Sequence, residues 1–142
     1  MKKYILKSFV IVAFITFTFE ACQKDTETTP STSTADRDKF LGTWSTRSTG
    51  AVFGTLNFTM TISAGNSSPA QVVIKNFDNA GETTSTFAYI SGSSISIQPQ
   101  LVGPDSIQGN GTYNSNATLT FDYIVNANDG VHFGNRSATA HK

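Results

Sequence analysis

Between Thr55 and Ser63, Leu56, Phe58, Met60 and Ile62 take every second position, and Asn57, Thr59 and Thr61 take the others. Leu119, Phe121, Tyr123 and Val125 repeat that alternation between Thr118 and Asn126. A period of two puts successive side chains on opposite faces of a β-strand, so each segment turns one face to a core. Runs of Thr, Ser, Val, Ile and aromatic residues extend the reading to about eight strands. They are Thr43–Thr49, Thr55–Ser63, Gln71–Phe77, Thr83–Ile90, Ser94–Gln98, Ile107–Tyr113, Thr118–Asn126 and Val131–Ala140. No segment after residue 42 repeats at the helical period.

The connections are short and carry turn chemistry. Gly50 to Gly54, Gly65-Asn66, Asn79-Ala80-Gly81, Ser91-Gly92-Ser93, Asn114-Ser115-Asn116 and Asn128-Asp129-Gly130 separate the strands. Gly and Asn tolerate the positive φ of tight hairpins. Short links favour an up-and-down antiparallel meander, and closing it into a barrel removes both exposed edges. Ahead of the first strand, Asp36 to Leu41 reads as one helical turn capped by Asp36, with Phe40 and Leu41 plugging one barrel end.

Composition changes the picture at the N-terminal side. The 142 residues carry ten cations and ten anions, for zero net charge, with a single Cys. Lys2, Lys3 and Lys7 precede an eleven-residue run of apolar residues and Thr, Phe9 to Phe19, which has the length of a signal-peptide core and is too short to span a bilayer. Removing residues 1–21 leaves seven cations and nine anions, about −2. One Cys makes no internal disulfide and no Cys-rich zinc site. The cations of the folded part are scattered, so nucleic acid is excluded as a partner.

Phe19-Glu20-Ala21-Cys22 resembles a bacterial lipobox, in which a small residue precedes a Cys that takes diacylglycerol. The resemblance implies a signal peptide over 1–21, lipidation at Cys22 and a membrane partner through that anchor. Gln23 to Glu27 resembles the surface-export signal of Bacteroidetes lipoproteins, and Thr28 to Ala35 reads as the rest of a flexible Thr/Ser-rich tether, 22–35. The folded domain is then 36–142. Asp105-Ser106-Ile107 resembles a Bacteroidetes O-glycosylation triplet with Ser106 as acceptor.

Phe40-Leu41-Gly42-Thr43-Trp44 resembles the Gly-x-Trp start of the lipocalin and fatty-acid-binding superfamily, the calycins. As a whole the chain resembles lipocalin-like lipoproteins of Bacteroidetes. The resemblance implies an all-β, lipocalin-like eight-stranded barrel. Trp44 lies at its closed end, and Arg136 of the last strand stacks on the indole by a cation–π contact. It also implies a cell-envelope, outer-membrane and surface-displayed protein that binds a small apolar ligand. The alternative is a protein-interaction module, an inhibitor or adhesion component, with a filled barrel. The carboxylate-binding Arg-x-Tyr of fatty-acid-binding proteins is unmatched, since Ala138 follows Arg136 at that spacing.

Phe58, Met60, Tyr89, Tyr113, Phe121, Tyr123 and Phe133 are the candidate ligand-lining side chains, although aromatics at period two more often form core. The bulk of the two alternating segments points to a mostly filled interior with a small mouth pocket. Asp129 and His132 flank Gly130 and read as a solvated hairpin end rather than a metal or acid–base pair. There is no Gly-x-Ser-x-Gly elbow. The expectation is a binding protein, not an enzyme, with no cofactor and no metal.

Overall fold

In the computed structural model, residues 34–129 and 132–142 are described. The expected signal peptide, Cys22 and nearly all of the tether lie outside them. A helical turn, α1 (Thr34–Asp38), leads into eight strands: β1 (Gly42–Gly50), β2 (Gly54–Ala64), β3 (Gln71–Lys75), β4 (Ser85–Ser91), β5 (Ser94–Val102), β6 (Asp105–Asn114), β7 (Thr118–Asn126) and β8 (Phe133–His141). Each strand pairs antiparallel with the next, and β8 pairs back onto β1, so the sheet is a closed up-and-down barrel. The fold is the one the alternation predicts. Val131, the expected start of the last strand, lies outside the described residues.

The alternating positions sort as their period demands. Trp44, Phe58, Met60, Ile62, Ile74, Ile95, Leu119 and Phe121 are among the buried side chains that fill the interior. Several expected boundaries shift by one or two residues, and one by four. β5 runs four residues past Gln98, and β3 stops at Lys75 because Asn76 turns left-handed (φ 56). Phe77–Asn79 then forms a tight turn over the mouth, with Asp78 and Asn79 also left-handed. Asn and Asp adopt that conformation more readily than other non-Gly residues. The Asn76 side chain holds it, donating to the Thr59 carbonyl at 2.7 Å and accepting from the Gly81 N–H at 2.8 Å.

β4 and β5 pair over only three residue pairs before a bulge between Ile97 and Gln100 carries β5 away. The Gln100 side-chain amide bridges the opening. It accepts from the Phe87 N–H at 2.8 Å and donates to the Phe87 carbonyl at 2.7 Å, replacing the missing strand partner. β6 lies close on β7 at two inward glycines. A methyl group on Gly109 would sit 2.6 Å from Tyr123 Cα, and one on Gly111 2.5 Å from the Thr120 carbonyl. Inward glycines of this kind let a barrel wall bend sharply.

One end is closed by Phe40 and Trp44. The Trp44 indole N–H donates to the Phe40 carbonyl at 2.8 Å, and both rings pack on Tyr113. Lys142 Nζ sits 4.8 Å over the indole and donates to the Lys39 carbonyl at 3.0 Å. This corrects the expected Trp44–Arg136 stack. Thr49 pairs with Ser137, so Arg136 faces the Gly50 end of β1. Trp44 lies six residues earlier, about 20 Å along the strand. The cation over the indole comes from beyond β8 instead. Trp44→Ala is expected to lower unfolding free energy by about 3–5 kcal/mol, measured by urea denaturation, because it empties a fully buried indole site and strands the Phe40 carbonyl.

Candidate ligand-binding site

The seven candidate lining residues divide into three groups. Phe58, Met60, Phe121 and Tyr123 are buried in the continuous core and occupy the interior rather than bordering an open lumen. Tyr113 is half-buried against the Phe40–Trp44 plug. Tyr89 and Phe133 point outward, 42% and 63% exposed, because their strand positions fall on the solvent face. Ser106 lies beside a shallow rim depression with Leu101 and Asn126. Asp129 accepts from the His132 backbone N–H at 2.9 Å and also contacts its ring, with both side chains about half exposed. No group of metal-ligating side chains is found among the described residues.

At the mouth end the interior turns polar. Arg136 is 3% exposed, and its Nη2 donates to Ser48 Oγ at 2.7 Å. Its Nε lies 3.1 Å from Asp78 Oδ1, an ion pair in which the N–H is not aimed for a hydrogen bond. The same carboxylate oxygen accepts from the Tyr123 hydroxyl at 2.7 Å. Phe53 lies against the guanidinium at 5.3 Å, and Phe77 packs on Phe121 and Tyr123. The turn that bears Phe77 and Asp78 thus fills the mouth with one apolar and one charged side chain. Burial pushes the Asp78 carboxyl up from its ordinary value, outweighing the Tyr123 hydrogen bond and the Arg136 charge. Burial, then the Asp78 charge, also drives the Tyr123 phenol up.

The open space lies on the other side of the wall. A groove of about 600 Å³ crosses the outer face of β5 to β8. Its sides are Ser96, Gln98, Gln108, Asn110, Asp122 and Asn135, and its floor runs over Gly109. The floor is strand backbone at Gly109, whose side of the wall faces inward, and the bulge at Gln98-Pro99 swings β5 aside at one flank. The cross-strand register aligns Ser96, Asn110, Asp122 and Ser137 in one outward row. Ser137 Oγ donates to Asp122 at 2.6 Å, while no hydrogen bond within the described residues occupies the side-chain amides of Gln108, Asn110 and Asn135. Sequence reading passed over this row because polar outward positions of a strand look alike until the register is known.

No known protein family matches the sequence, and no curated protein does. Solved structures share its fold. One is a redesigned beta barrel, b11L5F_LGL, at 16% identity and TM-score 0.56, covering 75% of this chain and 94% of that one. Another is EF1p2_mFAP2b bound to DFHBI, at 16% identity and TM-score 0.53, covering 77% of this chain and 98% of that one. At this identity the likeness is one of fold, a small eight-stranded barrel.

The raised Asp78 pKa gives a pH prediction. A carboxyl whose folded pKa lies above its unfolded value supports folding below the unfolded pKa and loses that support as pH rises through the folded one. The stability of wild type relative to Asp78→Asn is therefore expected to fall as pH rises above the ordinary carboxyl value of about 4, followed by urea denaturation. A difference that grows with pH would show a lowered pKa.

Proposed function

We propose that the chain is a lipid-anchored binding protein of the cell envelope, displayed on the outer-membrane surface. Its closed barrel acts as a rigid support, and its ligand docks on the outer wall. The observation that carries this reading is the contrast between a lumen packed with side chains and an outer groove in which no hydrogen bond within the described residues occupies the amides of Gln108, Asn110 and Asn135. It replaces an apolar ligand inside the barrel with a ligand outside it, and it fits the filled-barrel alternative of the sequence. The similarity to EF1p2_mFAP2b, a barrel solved bound to DFHBI, supports a small-ligand role at the level of fold only. The protein is read as a non-enzymatic module, with Arg136 and Asp78 bracing the mouth.

The anchor rests on Cys22 and the segment before it, where the order of basic head, apolar run and Cys is what export and acylation require. Buried acyl chains hold a protein to a bilayer with about 0.8 kcal/mol per CH₂. Cys22→Ser is expected to move the protein from the membrane fraction to the soluble fraction. Unchanged partitioning would overturn the anchor.

The outer-wall site is tested by chemical-shift mapping with a chemically mixed fragment library. Shifts are expected at Gln108, Asn110 and Asp122. Shifts confined to Met60 and Phe121 would return the ligand to the lumen and overturn the outer-wall reading.

A further inference from the structure

The outer-wall reading leaves the class of ligand open, and the inference here rests on that reading. The groove shares Gln98 with a second depression, of about 360 Å³, lined by Gln71, Phe87, Tyr89 and Gln100. The two are neighbours by register. Tyr89 pairs with Ser96, Ser96 with Asn110, Asn110 with Asp122, and Asp122 with Ser137. At the usual strand spacing this outward row runs about 19 Å around the barrel. It starts at two exposed aromatic rings, Phe87 and Tyr89, 47% and 42% exposed, and continues into amides, hydroxyls and one carboxylate.

The chemistry of that row is selective. Asp122 is the one acidic or basic side chain facing outward in the groove, because Arg136 turns its guanidinium into the barrel. A phosphate or other anion meets no counter-charge there. Among its outward side chains only Ile124 and Pro99 are apolar, so an aliphatic ligand would leave the polar ones unsatisfied. A peptide strand has few free backbone groups to pair with, since the sheet is closed and Gln100 already fills the opening at Phe87. Hydroxyl groups suit it best. Each hydroxyl both donates and accepts, and a side-chain amide presents a donor and an acceptor side by side, while a carboxylate accepts twice. The C–H face of a sugar ring is apolar and packs on an aromatic ring, whose polar edge stays in water.

We infer that the outer wall of β4 to β8 is a binding site for a neutral oligosaccharide. Tyr89 and Phe87 stack a sugar ring at one end, and Asn110, Asp122 and Gln108 take hydroxyls along the groove, beside the Gln98 amide that donates to Ser96 Oγ at 3.1 Å. The row is long enough for several linked rings and too shallow to enclose one. Recognition is therefore of a chain laid across the wall.

The test is titration of the full-length protein, extracted in detergent, with maltotetraose, cellotetraose and tetra-N-acetylchitotetraose, read by chemical shift and by affinity. Saturable binding by at least one is expected, unchanged by high salt because the ligand is uncharged. Tyr89→Ala and Asn110→Ala are each expected to weaken it about tenfold or more while thermal unfolding stays near wild type. Thr61→Ala, on the opposite wall, is expected to leave it unchanged. If none of the three sugars shifts the groove while fragments of other chemistry do, the carbohydrate assignment is overturned and the outer-wall site stands. If neither sugars nor fragments shift the groove, both are overturned. Binding that survives both Tyr89→Ala and Asn110→Ala also overturns the assignment.

Discussion

Pairing of β1 with β8, from Ser45–His141 to Thr49–Ser137, is the constraint from which the other features follow. Once that seam is made, every strand position has a fixed side, inside or out. The inside is too narrow to stay empty without loss of dispersion contacts, so bulky side chains at alternate positions occupy it. Phe40, Trp44, Met60, Ile74, Ile95 and Phe121 are fully or almost fully buried in consequence. The same seam carries Arg136 to the mouth, where a buried guanidinium needs partners, and Asp78, Ser48 and Phe53 surround it. Removing one member of such a pair leaves an uncompensated charge, which is far costlier than the pair itself.

The glycines of β6 add a second constraint of the opposite kind. At Gly109 and Gly111 the strand is pressed so near β7 that no Cβ fits. The wall can bend there because no inward side chain stands in the way. On the outer face the groove crosses the same strand at Gly109. Its floor is backbone, which fixes its shape independently of the side chains that border it.

Much of this was legible in the sequence. The alternation of Leu56 to Ile62 and Leu119 to Val125 marks two strands and their inner faces correctly, and the turn residues between segments give the meander. What was not legible depends on register, which a single chain does not print. Arg136 and Trp44 are both buried and both aromatic-stacked, but at opposite ends and with other partners. Tyr89 and Phe133 have the composition of core residues and the position of surface ones. Phe77 reads as the end of a strand, whereas three left-handed residues, Asn76, Asp78 and Asn79, fold it back over the mouth. The outward row from Tyr89 to Ser137 gathers residues from five strands, and no local window of the sequence holds more than one or two of them.

The strict division of each strand into inward and outward positions has an evolutionary reading. On β7, Phe121, Tyr123 and Val125 serve the core while Asp122 and Ile124 face out, one residue apart. Selection can therefore rewrite the outer set freely, because those side chains contribute little to the packed interior. The chemistry of the outer wall can thus be changed without unpacking the interior, and Gly109, facing the core and flooring the groove, is the position where the two requirements meet.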